Sequence, residues 1–343
     1  MFLKRMIPAV GVALALGVAA CGGDDDDSSG SDTSSTQNKA VESSGSTAPV
    51  KIAVSVPAAD HGWLKAVADD AKKAGDELEG VELTVNDSAA NSADQADQIE
   101  TLINGKPDAL VVLPFEGDAL TPVAQKATAA GIPVVNVDRE FSTPGAFRTW
   151  IGGDNYGIGW QAGNYFADEL NCQGNVVEIQ GLAGISVTED RSKGFDDALA
   201  SRCKGTIKVV ARQPADFDPA KGLSVMENIL EAQKQIDGVY THDDDMAEGV
   251  VAAIENAGRE GDMFLTGAGG SKAAMDRIEA GGLYRATFLY NPTMSASAVN
   301  LAALIARGEG MADLTEPEVP SRIQVPATTV TKENVADVKE LAY

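Results

Sequence analysis

The 343 residues carry 51 acids against 27 bases, a net charge of −24, and are 44% hydrophobic but only 5% aromatic. A chain of this length exceeds a single hydrophobic core, and its wealth of Ala, Val and Gly suits helices packed on both faces of parallel sheets, not an all-β or disordered chain. The acidity, with no cluster of Lys or Arg anywhere, excludes nucleic acid as a partner.

Lys4 and Arg5 precede an uncharged run over residues 6–20, which closes on Val18-Ala-Ala-Cys21. The run is short for a bilayer span, and small residues before Cys21 suit a signal peptidase that cleaves once the thiol carries lipid. Residues 1–20 therefore read as a lipoprotein signal peptide and Cys21 as the lipidated residue, with an ordinary secreted protein as the alternative. Residues 21–49 are Gly, Ser, Thr and Asp, including Asp24 to Asp27, with nothing apolar enough to build a core. They are expected to be a disordered acidic tether with a reach of about 30 Å. The folded part should sit outside the cytoplasm and touch the cell membrane only through this anchor.

Strands of about five residues then alternate with helices of about a dozen. Residues 51–56 read as a strand, 62–77 as a helix, 82–86 as a strand and 92–104 as a helix with Ala96, Ile99, Leu102 and Ile103 on one side. A strand at 109–113 leads to a helix that stops at Gly131, and 133–137 is the fourth strand. The same grammar restarts with strands near 148–151, 175–180, 207–213, 238–241, 263–267 and 284–289. A helix over 294–306, a Pro-rich acidic passage at 316–320 and a short strand near Ile323 finish the chain. Such alternation predicts right-handed βαβ units and two doubly wound parallel-sheet α/β lobes. Asp108-Ala-Leu-Val-Val-Leu-Pro-Phe-Glu-Gly-Asp118 and Asp237-Gly-Val-Tyr-Thr-His-Asp-Asp-Asp-Met246 read as one unit written twice. Cys172 and Cys203 both fall where a helix ends and a strand is about to begin, so in an oxidising compartment a disulfide is expected, two buried thiols being the alternative.

Open α/β sheets bind ligands at the carboxyl ends of their strands. In Pro133-Val-Val-Asn-Val-Asp-Arg139, an apolar β-branched run ends in an acid and a base. Asp138 can accept two hydroxyl hydrogen bonds and Arg139 offers a rigid fork of donors. The other strand ends supply His61, Trp63, Phe217, Asp243 and Tyr290, and Arg191 joins them at the start of its helix. Aromatic rings flanking charged, multidentate hydrogen bonders suit a sugar, whose C–H faces stack while its hydroxyls meet carboxylate and guanidinium. Packing is the alternative for each aromatic, and an N-cap for Asp243.

No catalytic or cofactor motif competes. Gly157-Ile-Gly-Trp-Gln-Ala-Gly163 looks like a dinucleotide fingerprint, but no acid is well placed at the end of the following strand, so it reads as a helix packed closely on a neighbour. His242-Asp-Asp-Asp245 lacks partners for a metal, since the only other histidine is His61. No nucleophile elbow, phosphate-binding loop or paired Cys motif is present. No cofactor, metal or catalytic residue is expected.

Glu178-Ile-Gln-Gly-Leu-Ala-Gly-Ile-Ser186, Arg191-Ser-Lys-Gly-Phe195, Gln213-Pro-Ala-Asp-Phe-Asp218 and Lys221-Gly-Leu-Ser-Val-Met226 are close to a known pattern. From about residue 51 to 330 the chain resembles the ribose-type periplasmic sugar-binding proteins of ABC transporters. The resemblance places Trp63 and Phe217 at aromatic positions, Asp138 and Arg139 at a paired hydroxyl site, and Arg191 at a second guanidinium. It also implies departures: His61 and Asp243 stand where ribose binders have Asn, Tyr290 where they have Gln, and Gly269 where they have a hydroxyl-binding Asp. A pentose other than ribose, a hexose or a polyol is therefore expected. The resemblance further implies a three-crossover hinge near Gly153, Tyr290 and Pro320. One lobe would then hold residues 50–153 and 291–319, the other 154–290 and 320–343. The function expected is that of a monomeric, lipid-anchored solute receptor serving an ABC transporter permease. A sugar-sensing lipoprotein for a signalling receptor and a secreted carbohydrate enzyme are the alternatives.

Overall fold

The computed structural model describes residues 49–343; the expected signal peptide, Cys21 and nearly all of the expected tether lie outside the described residues. The first lobe opens with β1 (Val50–Pro57), α1 (Gly62–Glu77), β2 (Val81–Ala89), α2 (Ser92–Asn104), β3 (Ala109–Val112), α3 (Gly117–Ala129), β4 (Val134–Val137) and β5 (Thr149–Gly153). The second follows with α4 (Asn155–Glu169), β6 (Gly174–Gln180), α5 (Ser186–Cys203), β7 (Ile207–Pro214), α6 (Pro219–Ala232), β8 (Gly238–Thr241), α7 (Asp244–Asn256), β9 (Phe264–Gly269), α8 (Lys272–Ala280) and β10 (Tyr284–Leu289). The chain then returns for α9 (Met294–Arg307) and β11 (Arg322–Val325), and ends its strands with β12 (Thr329–Thr331).

Each lobe is built on one six-stranded sheet, ordered β11-β5-β4-β3-β1-β2 in the first and β12-β10-β9-β8-β6-β7 in the second. All pairings are parallel except that of β10 with β12. The central strands β3 and β4 are buried at every position, as continuous apolar runs covered on both faces should be. The edge strand β2 alternates between partly buried and exposed residues along most of its length. In both sheets the order reverses between the first and third strands of the lobe, which opens a crevice at the carboxyl edge.

One boundary differs from expectation. Residues 320–325 belong to the first lobe: Ile323 pairs with Ile151 in parallel, Trp150 N donates to Ser321 O at 3.0 Å and Asp154 N to Val325 O at 2.9 Å. Without β11 the outer edge of β5 would carry unsatisfied backbone groups. The third crossing therefore lies after Val325 and not near Pro320. Cys172 and Cys203 are joined, linking the chain just beyond α4 to the end of α5.

The glycines that look like a dinucleotide fingerprint serve helix packing. A Cβ on Gly159 would lie 1.9 Å from Arg191 O, and one on Gly194 would lie 2.1 Å from Tyr156 O. Backbone-to-backbone contact between α4 and α5 fixes where Arg191 stands.

Candidate binding site

All eight residues singled out at strand ends and helix starts, His61, Trp63, Asp138, Arg139, Arg191, Phe217, Asp243 and Tyr290, line one cavity between the carboxyl edges of the two sheets. Val187, Ala268 and Gly269 complete the wall.

The first lobe contributes through β1 and β4. His61 and Trp63 begin α1 straight after β1; the Trp63 indole N–H donates to Tyr290 O at 2.7 Å, and its ring centroid lies 5.4 Å from that of Tyr290. Asp138 ends β4 in the left-handed region at φ 61°, a conformation that Asp tolerates better than most side chains and that turns the carboxylate toward the cavity edge. Its carbonyl accepts from Trp150 Nε1 at 3.0 Å, which holds the turn. Arg139 is buried; it donates Nη1 to Phe115 O at 2.6 Å and lies 3.9 Å from the Asp138 carboxylate. With only one charge-neutral partner close by, most of its donor fork is left for something else.

The second lobe supplies the opposite wall. Arg191 on α5 donates Nε to Asn155 Oδ1 at 3.0 Å and Nη1 to His242 O, and its guanidinium lies 4.7 Å above the Tyr290 ring. Asn155 donates in turn to the Tyr290 hydroxyl at 3.1 Å, and that hydroxyl donates to Asp138. A polar chain thus runs from Arg191 through Asn155 and Tyr290 to Asp138, from one lobe to the other. Burial, then the Asp138 charge, pushes the Tyr290 phenol well above its usual 10, so it stays a donor. Phe217, at φ 64°, lies against bare Gly181, where a Cβ would come within 2.0 Å of its ring.

Two contacts cross the cleft at its rim. The His61 and Phe217 rings stack with centroids 5.9 Å apart, and Trp63 N donates to Asp245 Oδ2 at 3.1 Å. The lobes are therefore closed: Phe217, the most open of the seven expected site residues other than His61, is only 7% exposed.

Asp243 does two jobs. Its Oδ1 caps α7 by accepting from Met246 N at 2.8 Å, while the residue also lines the cavity. Burial, opposed by the His61 charge, pushes its carboxyl up to about 7. His61 moves the same way: burial opposes protonation, but the hydrogen bond to Asp60 and the charges of Asp243, Asp60 and Asp245 raise its pKa overall. A raised folded pKa means that Asp243 favours the folded state most below its unfolded value of 3.8 and disfavours it progressively as pH climbs toward 7. Asp243→Asn keeps a competent cap and removes the charge. Its melting temperature relative to wild type should rise between pH 5 and pH 8. A difference independent of pH would show that Asp243 is not the strained acid described here.

Asn155 was missed in the sequence although it follows the end of β5 by two residues, the very criterion that found the others. Val187 and Ala268 carry no chemical signal that could have marked them.

Two parallel-sheet lobes closed over a small cavity of aromatic rings and balanced charges define a two-lobed solute-binding protein. A family model described as a periplasmic binding protein domain matches residues 52–310. The ribose import binding protein of Escherichia coli is 32% identical over 270 residues, 79% of this chain and 89% of that one. The xylitol-binding protein of Mycolicibacterium smegmatis is 32% identical over 257 residues, 74% of this chain and 70% of that one. A solved ABC transporter solute binding protein from Bacillus halodurans with bound myo-inositol superimposes with a TM-score of 0.78 at 26% identity, covering 86% of this chain and 99% of that one. The chain belongs to the periplasmic binding protein family, among the sugar-binding solute-binding proteins of ABC transporters, and it is a binding protein, not an enzyme.

Proposed function

We propose that the chain is a lipid-anchored receptor that captures one monosaccharide or polyol between its lobes and delivers it to an ABC transporter permease. The observation that carries the ligand class is the pairing, on one cavity, of two carboxylates and two guanidiniums with Trp63, Phe217 and Tyr290. Balanced charge suits a neutral ligand whose hydroxyls both donate and accept. Ribose, xylitol and myo-inositol, named for the relatives, share that chemistry. Gly269, Asp243, His61 and Tyr290 move acceptors and bulk relative to ribose binders, which favours a ligand other than ribose. Membrane attachment is assigned to Cys21, on the small residues Val18-Ala-Ala that precede it.

Because the contacts come from both lobes, a ligand binds the closed form more tightly and draws the population toward it. Melting the protein with pentoses, hexoses, polyols and nucleosides should single out a sugar or polyol, since a ligand at a hundred times its Kd adds about 2.7 kcal/mol of stability. The same ligand should shrink the radius of gyration in small-angle scattering. Stabilisation by nucleosides alone would refute the ligand class, and an unchanged radius at saturation would refute closure.

A further inference from the structure

Gly269 ends β9 on the cavity wall at φ 137°, a conformation that favours glycine. The direction its missing side chain would take is occupied. A Cβ there would lie 2.8 Å from the Tyr343 hydroxyl and 3.4 Å from Tyr343 Cε1. Tyr343 is held in place by its carbonyl, which accepts from Lys272 N at 3.0 Å at the start of α8. Its hydroxyl is buried and has no hydrogen-bond partner in the protein.

Asp244, whose Oδ2 would lie 3.4 Å from the same Cβ position, is already saturated. Asp244 takes the Gly270 and Ser271 amides on Oδ2 at 2.7 and 2.8 Å, the Tyr284 hydroxyl on Oδ1 at 2.7 Å, and the Thr287 hydroxyl on both oxygens. A buried hydroxyl without a partner is costly and rare in a native fold, and it calls for a partner from elsewhere. Gly269 itself lines the cavity, and it puts no side chain beside this hydroxyl.

We propose that Tyr343 is a specificity residue whose hydroxyl hydrogen-bonds an oxygen of the bound sugar or polyol over the bare backbone of Gly269. Resting on the sugar or polyol reading above, this adds a contact from a residue 53 positions beyond Tyr290, the last of the cavity-lining residues. Burial, then the charges of Asp243, Asp244 and Asp245, keeps the phenol protonated and able to donate. A ligand that places a hydroxyl or ring oxygen beside Gly269 is selected over one that presents a methylene there, which would leave the phenol unpaired.

The test uses the full chain and Tyr343→Phe, with calorimetry on the sugars and polyols that stabilise wild type and on their monodeoxy analogues. Tyr343→Phe should weaken the best ligand about tenfold, the scale of one hydrogen bond in a buried site. One monodeoxy analogue should bind wild type comparably weakly, and it should lose nothing further in the variant. Melting of the ligand-free proteins at equal temperature establishes that the variant is folded. If wild type binds and Tyr343→Phe binds every ligand within twofold of it, the inference falls and the sugar reading stands. If wild type binds no member of the panel, both fall.

Discussion

Asp138→Ala should weaken binding of the cognate ligand by about 2–5 kcal/mol, the cost of truncating one member of a buried charged hydrogen-bond set. The carboxylate is the acceptor for the Tyr290 hydroxyl and the counter-charge 3.9 Å from Arg139. Its loss leaves Arg139 buried with only the Phe115 carbonyl, and it unties the polar chain that joins the lobes. Arg191→Ala belongs to the same class, because Asn155 and the His242 carbonyl both lose their cation. Trp63→Leu should cost less, since stacking adds roughly 0.5–1.5 kcal/mol beyond the area it covers. Calorimetry on the ligand found by melting would rank the three. Equal or inverted losses would show that these side chains do not hold the ligand in the roles given to them. Alanine at φ 61° is itself strained, so the comparison needs ligand-free melts, or Asp138→Asn, to separate folding from binding.

Removing the disulfide should cost about 3–4 kcal/mol of stability in the chain-entropy account for a loop of roughly this size. The bond closes a separation of 31 residues and clamps the far end of the α4–α5 pair, whose near end carries Asn155 and Arg191. The Thr206 hydroxyl ties the same corner by donating to the carbonyls of both cysteines. Reductant should therefore lower the melting temperature by several degrees and also loosen ligand binding. Counting thiols in the denatured, unreduced protein gives the direct check. Two titratable thiols would refute the bond.

Periodicity and turn chemistry made most of this fold readable before any coordinates. The helix over 92–104 and the strands over 238–241 and 284–289 coincide with their bounds in the structure: Asn91 and Gly105 bracket the first, Asp237 opens the second, and Gly281-Gly282 precede the third. The rule that ligands meet the carboxyl ends of strands picked out seven scattered residues that, with Arg191 at its helix start, line one cavity. What escaped depends on tertiary pairing. Residues 322–325 look alike whichever lobe they join, and only the open edge of β5 decides. Asn155 reads as an ordinary helix start, and its function comes from standing between Arg191 and Tyr290. Tyr343 lies 74 positions beyond Gly269, and no spacing in the sequence announces that its hydroxyl would fill that glycine's empty place.

Neither lobe is a continuous piece of chain, and this sets an order of events during synthesis. The face of α1 where Ser295 of α9 donates to Val67 O at 2.7 Å, and the edge of β5 that β11 pairs, receive their partners only after β6 to β10 of the second lobe have been made. At about 5–20 residues per second, the intervening stretch keeps those surfaces uncovered for roughly ten seconds or more. A nascent chain in that interval has most of its strands but neither lobe complete.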